Sequence, residues 1–188
     1  MGTRDELDTR GATLIAIARG AIAAALGKGS VPVVDAQWLR ERAASFVTLY
    51  AAGELRGCIG SIDARRALSE DVAANAQGAA FRDPRFPPVT AELLEALAIE
   101  VSLLSPRTPL AAGSEAEALA ALRPGIDGVY LEYAQARATY LPQVWESIPD
   151  PLVFLSELRR KAGLEPRFWH RDLRLSRYGV EKFREADG

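Results

Sequence analysis

At 188 residues, with 48% apolar and 26% charged side chains, the chain can bury a core without disulfides or metals, as one domain or two small ones, and it is unlike a disordered segment. Its 23 Lys and Arg against 25 Asp and Glu leave a formal charge of -2, too little to steer it onto nucleic acid or an anionic membrane. The single cysteine excludes an intramolecular disulfide framework.

The start, MGTRDELDTRG, carries no apolar core behind a basic segment, and the apolar stretch 14–26 is too short to span a bilayer and contains Arg19. The expected compartment is therefore cytoplasmic, with no membrane partner. Leu14, Ala18, Ala21 and Ala25 recur at helical spacing and predict an amphipathic helix ending at Gly27. Asp35 is placed to cap a short helix through Trp38 and Leu39. FVTLYA (46–51) and LRGCIGSI (55–62), separated by a turn at Gly53, read as a hairpin.

Leu68, Val72 and Ala76 mark the next helix, which runs out at Asp83, where DPRFPP forbids regular structure. Thr90 caps a short helix, and Leu97, Ile99, Val101 and Leu103 alternate along a strand. Ser114 and Glu117 stand in a capping-box relation. VYLEY and ARATYL form two strands around Ala134-Gln135. Asp150-Pro151 starts a helix with Leu152, Leu155, Leu158 and Ala162 as its face, and a last strand spans 172–178. Helices between hairpins, without strict βαβ alternation, predict an α+β fold with antiparallel sheets.

Cys58 in LRGCIG is the most pointed chemical feature. An extended strand would project Arg56 and Cys58 from one face, and a guanidinium so close favours the nucleophilic thiolate. Gly57 and Gly60 would let a ligand, or another backbone, approach closely. Buried cysteine is also a common packing residue, and on residue types alone the structural reading stands ahead of the nucleophilic one. In DPRFPP, Arg85 suits a carboxylate or phosphate, with Asp83 and Phe86 beside it; pinning of the loop and filling of the core are the alternative roles. His170 in FWHRD is the only histidine, and one Cys with one His argues against a zinc site. No GxGxxG, Walker loop or GxSxG occurs, so no cofactor or metal is expected. Residues 156–184 hold nine Lys and Arg against four Asp and Glu with aromatics between them, a pattern open to RNA binding, though solvated helix and strand faces produce such excesses routinely and that reading is preferred.

LRGCIGSI, FRDPRFPPVT, GIDGVYLEY, LPQVWESIPDP and SRYGVEKF, in this order, resemble the AMMECR-domain family across 46–183, especially its bacterial branch, protein A of the AmmeMemoRadiSam system. The resemblance implies one AMMECR-type domain of two subdomains, each with an antiparallel sheet flanked by helices, and a cleft lined by LRGCIG. Residues 1–62 and 98–188 would form the larger part and 63–97 a smaller inserted one. It turns Arg56 and Cys58 toward catalysis, carries Gly57, Gly60, Asp83, Arg85, Phe86 and Gln143 (with Leu141 and Pro142) as ligand-binding candidates, and implies a Memo-type protein and a radical-SAM enzyme as partners. Asp127 stands where many relatives have histidine, and Ala134-Gln135-Ala136 where a glycine is expected. The family implies no settled reaction, so whether the chain is an enzyme stays open. The expected function is a component of a radical-SAM/Memo-associated modification system that binds a small or peptide-like anionic ligand; the alternatives are a non-catalytic protein-binding module and, behind it, an RNA-binding protein.

Overall fold

The computed structural model describes residues 4–185. Its first elements are α1 (Arg4–Ala25), α2 (Gln37–Arg40), β1 (Ala44–Ala51), β2 (Glu54–Gly60), α3 (Leu68–Phe81), α4 (Ala91–Glu95) and β3 (Leu97–Leu104). There follow β4 (Thr108–Pro109), α5 (Glu115–Ala121), β5 (Gly128–Tyr133), β6 (Ala136–Tyr140), α6 (Val144–Ser147), α7 (Pro151–Lys161), β7 (Arg174–Tyr178) and β8 (Val180–Arg184). The strands form two sheets, ordered β2-β1-β3-β8 and β4-β7-β5-β6, and the fold is α+β as expected. Among the described residues, no helix is long and apolar enough to cross a membrane.

The chain divides into two compact units, one with the residues up to Leu104 and from Glu181 on, the other with 105–180. This corrects the expected division, in which 63–97 stood apart as an inserted part. Leu68, Val72, Ala76 and Ala79 of α3 lie in one core with α1 and the β1–β3 sheet, so that segment has no core of its own.

In the first unit, Val47 and Leu49 of β1 and Ile99 and Val101 of β3 face Leu14, Ile17, Ala18, Ala21 and Ile22 of α1. Ala18, Ala21 and Ala76 are fully buried, and such small side chains let α1 and α3 lie close. The helical stripe read from the sequence holds at Leu14, Ala18 and Ala21, but Ala25 is exposed. Gly27 ends α1 at φ +69, where the Lys28 N–H returns to the Ala23 carbonyl, a left-handed C-terminal cap. Asp35 does not cap α2: the N-cap is Ala36, and the Asp35 carboxylate pairs with Arg40 instead.

Asp71 in the first turn of α3 is buried and fully engaged. Its Oδ2 accepts from the Ser45 N–H (2.9 Å), Ser45 Oγ (2.8 Å), Ser61 Oγ (2.6 Å) and Asn75 Nδ2 (2.9 Å), while Arg66 grips Oδ1. One carboxylate thus ties the start of β1 and the residue after β2 to the start of α3.

In the second unit, Val129, Leu131, Ala138 and Leu175 pack on Phe154, Leu155 and Leu158 of α7, with Trp145 stacked on Phe154 at 3.7 Å. Asp150 caps α7 through the Leu152 and Val153 N–H groups, and Ser114 caps α5, both as expected. Leu152, however, is exposed, and Phe154 takes its place in the core. On the other face Tyr178 packs over Gly128, and burial pushes its hydroxyl up to about 12. Ala134, in the two-residue turn between β5 and β6, sits at φ +51, a left-handed conformation that costs an L-residue about 1–2 kcal/mol.

Two outcomes follow for stability. Ala134→Gly should raise the urea midpoint, by about 1 kcal/mol in stability. Asp71→Ala should cost about 3 kcal/mol or more by the same measurement, because it strands the buried Ser45 N–H and takes the acceptor from the Ser45 and Ser61 hydroxyls.

Candidate functional site

The hairpin that carries Cys58 has a fixed register. Thr48 pairs with Cys58, and Ser61 N–H bonds the Ser45 carbonyl at 2.9 Å. Alternation from that bonded pair makes Thr48–Cys58 a non-hydrogen-bonded pair, the kind that brings opposed side chains closest. Thr48 Oγ1 accordingly donates to Cys58 Sγ at 3.4 Å. The same alternation turns the Cys58 N–H and C=O off the outer edge of β2, which is an edge strand.

The DPRF turn meets both groups. Asp83 Oδ2 accepts the Cys58 N–H at 2.9 Å, and an Arg85 Nη donates to the Cys58 carbonyl at 3.3 Å. Arg85 also grips Asp83 in fork geometry, Nε to Oδ1 at 2.9 Å and Nη to Oδ2 at 2.7 Å. These bonds all favour the ionised carboxylate, and the Arg85 guanidinium foremost holds the buried Asp83 far below the usual carboxylate range. Asp83 and Arg85 therefore form a clasp that closes the sheet edge at Cys58. Phe86 lies half-buried against the Arg85 guanidinium, 5.3 Å from it, and outside the core cluster.

Two expectations about LRGCIG change. A β-bulge between the Leu49–Gly57 and Tyr50–Leu55 pairs leaves Arg56 as the extra residue, so the alternation expected to set it beside Cys58 is broken there. The guanidinium on the Cys58 segment is that of Arg85. The space at the glycines is taken by the chain itself: a Cβ at Gly57 would stand 2.2 Å from the Ala79 carbonyl oxygen of α3, and one at Gly60 would meet the Phe46 ring. Of the two approaches foreseen at Gly57, that of another backbone is realised.

Cys58 lies on the sheet face turned away from α1 and α3, since its neighbours Gly57 and Ile59 face α3. Thr48 pairs on its other side with Glu100 of β3, and Lys182 of β8 reaches Glu100 at 3.8 Å. A thiol, a hydroxyl, a carboxylate and an ammonium thus form one row across all four strands. Beside this row the Arg184 guanidinium stands 4.2 Å over the Tyr50 ring. Burial, then Glu100, raises the Tyr50 phenol above its ordinary value against the pull of Arg184, with Cys58 adding to the rise. Phe183, between the two cations, packs into the core, which sets Lys182 and Arg184 on the Cys58 face.

The sequence reading missed Thr48, Tyr50, Glu100, Lys182 and Arg184. The available signal was a lone carboxylate in the apolar strand AIEVSLL, on the side opposite Ile99 and Val101. Gln143 belongs to the second unit, exposed at the head of α6 without a capping bond, behind half-buried Leu141 and Pro142. His170 is also in the second unit, against Tyr133 and Phe168. Asp127 is buried there, held by Arg123 at 2.6 Å, while its carbonyl accepts from Trp145 Nε1 at 2.7 Å. Among the described residues, no three His, Cys, Asp or Glu side chains converge to hold a metal.

A family model described as AMMECR1 matches residues 15–183. The chain is 38% identical to a protein of Methanothermobacter thermautotrophicus over 97% of this chain and 96% of that one. To Protein MJ0810 of Methanocaldococcus jannaschii it is 36% identical over 78% and 75%. The crystal structure of the uncharacterised protein PH0010 from Pyrococcus horikoshii is similar with a TM-score of 0.82 at 33% identity, covering 96% of this chain and 93% of that one.

The clasp predicts a pH signature. Because the Asp83 carboxyl is depressed in the folded state, its stabilisation is complete above the ordinary range near about 4 and fades as pH falls below it. Asp83→Asn should cost about 2 kcal/mol at neutral pH. Between neutral pH and about pH 3, its urea midpoint should fall less than that of the native chain.

Proposed function

The chain belongs to the AMMECR1 family, and from that premise we propose that it works as a component of a radical-SAM/Memo-associated modification system. Its working surface is the sheet face around Cys58, which takes a small or peptide-like anionic group and presents the thiol to it as nucleophile or acceptor. The observation that carries this reading is the fixing of Cys58 at three points: its N–H on Asp83, its carbonyl on Arg85 and its Sγ on the Thr48 hydroxyl. A side chain that only fills space needs no such immobilisation of its backbone, whereas reacting groups gain from being held in one geometry. The half-exposed Arg85 guanidinium lies beside the same residue and suits an anion. Cys58 is only half-buried, which leaves the thiol within reach of a ligand.

The competing reading is a non-catalytic module in which Cys58 packs and the partner binds elsewhere. Labelling separates the two. Iodoacetamide at neutral pH should modify Cys58 in the folded chain without prior unfolding, at a rate within about tenfold of the denatured chain. Protection until the chain unfolds would favour the binding module, and then Cys58→Ala should leave partner binding intact.

A further inference from the structure

One arginine of the second unit departs from the pattern that four others share. Arg19, Arg66, Arg85 and Arg123 each turn the Nε and Nη2 edge of the guanidinium onto a carboxylate, those of Glu185, Asp71, Asp83 and Asp127. Arg159 of α7 is 1% exposed, and its Nη1 donates to Glu115 at 2.6 Å and to the Pro166 carbonyl at 2.9 Å. Its Nε and Nη2 are buried and have no hydrogen-bond partner among the described residues. Buried donors without acceptors are costly, and this edge of a guanidinium is the one that two oxygens of a carboxylate or phosphate match.

The cover over Arg159 is lightly tied. The Trp169 ring lies 5.7 Å from the guanidinium carbon and is itself only half-buried. It belongs to the segment 165–172 that joins α7 to β7. Among the described residues, the one hydrogen bond from this segment to a helix or strand is that of Pro166 to Arg159. Phe168 N–H to the Glu165 carbonyl and Asp172 N–H to His170 Nδ1 close within it, and Phe168 and His170 lean on Tyr133 by ring contact. We propose that the Nε and Nη2 edge of Arg159 is an oxyanion site, closed in this structure, and that the segment 165–172 is its lid. With Trp169 turned away, the edge receives the carboxylate or phosphate group of a small ligand while Glu115 stays on Nη1. The ligand supplies the acceptors that the fold leaves out, and that gain offsets the opening of the lid. The site lies in the second unit and Cys58 in the first, so it stands independently of the thiol reading.

The test titrates the whole chain with sodium phosphate and, separately, with sodium acetate, chloride holding the ionic strength constant. Thermal midpoint and tryptophan emission are read together. At least one of the two anions should raise the midpoint saturably, by about 3 °C at ten times its Kd. The same titration should change the emission, and Trp169→Phe should abolish that change while the midpoint still rises. A response to phosphate alone assigns a phosphate group, and a response to acetate assigns a carboxylate. Arg159→Lys keeps the charge but loses the paired edge, and should remove both responses; the general effect of a salting-out anion would persist in it. If that variant folds poorly, Trp169→Ala decides: it thins the cover and keeps the edge, so the responding anion should bind about fivefold tighter. Midpoints that follow chloride in both titrations, a response that survives Arg159→Lys, an emission change not owed to Trp169, or an affinity not raised by Trp169→Ala would each overturn the site.

Discussion

Two buried carboxylates, one near each end of a single helix, hold the hairpin on which the candidate site depends. Asp71 in the first turn of α3 gathers Ser45, Ser61 and Asn75, and Asp83 just past its last turn takes the Cys58 N–H. A carboxylate removed from water is costly unless charge and hydrogen bonds replace hydration, and here Arg66 and Arg85 supply the charge. Gly57 and Gly78 let α3 come close between these points: added Cβ atoms would stand 2.2 Å from the Ala79 oxygen and 2.9 Å from Ile59 Cγ2. Helix and hairpin are thereby locked at both ends and in the middle.

That lock explains how an edge strand can hold Cys58 in one place. An unpaired edge invites another strand, and proteins guard such edges by covering or charging them. The DPRF turn does both at Cys58, with the proline-rich stretch supplying a turn in which Phe86 N–H returns to the Asp83 carbonyl at 3.2 Å. The outcome for chemistry is a thiol whose backbone is fixed and whose side chain meets one oriented hydroxyl. Beyond it the sheet face carries opposite charges in order, a carboxylate at Glu100 and cations at Lys182 and Arg184.

Much of the framework was legible because local rules and burial agree. The alternation of Leu97, Ile99 and Val101, the Thr90, Ser114 and Asp150 caps and the left-handed end of α1 at Gly27 each rest on neighbours in the sequence. β8 was not legible: VEKFR offers one aromatic toward the core and alternating charges outward, which reads as a solvated tail until Phe183 is seen packed on α1 at Gly11. With β8 unseen, the cationic end of the row was unseen too. Arg56 was misplaced because a bulge shifts alternation by one residue, and no local pattern announces it. Gly57 was read as room for a ligand or for another backbone, because a glycine states that something comes close, not what. Asp83 and Arg85 were found, but their bond to Cys58 links positions 25 and 27 residues apart, which spacing alone does not reveal.

The central claim is that Asp83 fixes the Cys58 backbone at the edge of the sheet. Amide hydrogen exchange tests it most directly. In the native chain the Cys58 N–H should be protected although no strand lies beyond it, and in Asp83→Asn its exchange should accelerate while the amides of the β1–β3 ladder stay slow. Fast exchange at Cys58 in the native chain, or equal protection in both proteins, would contradict the account.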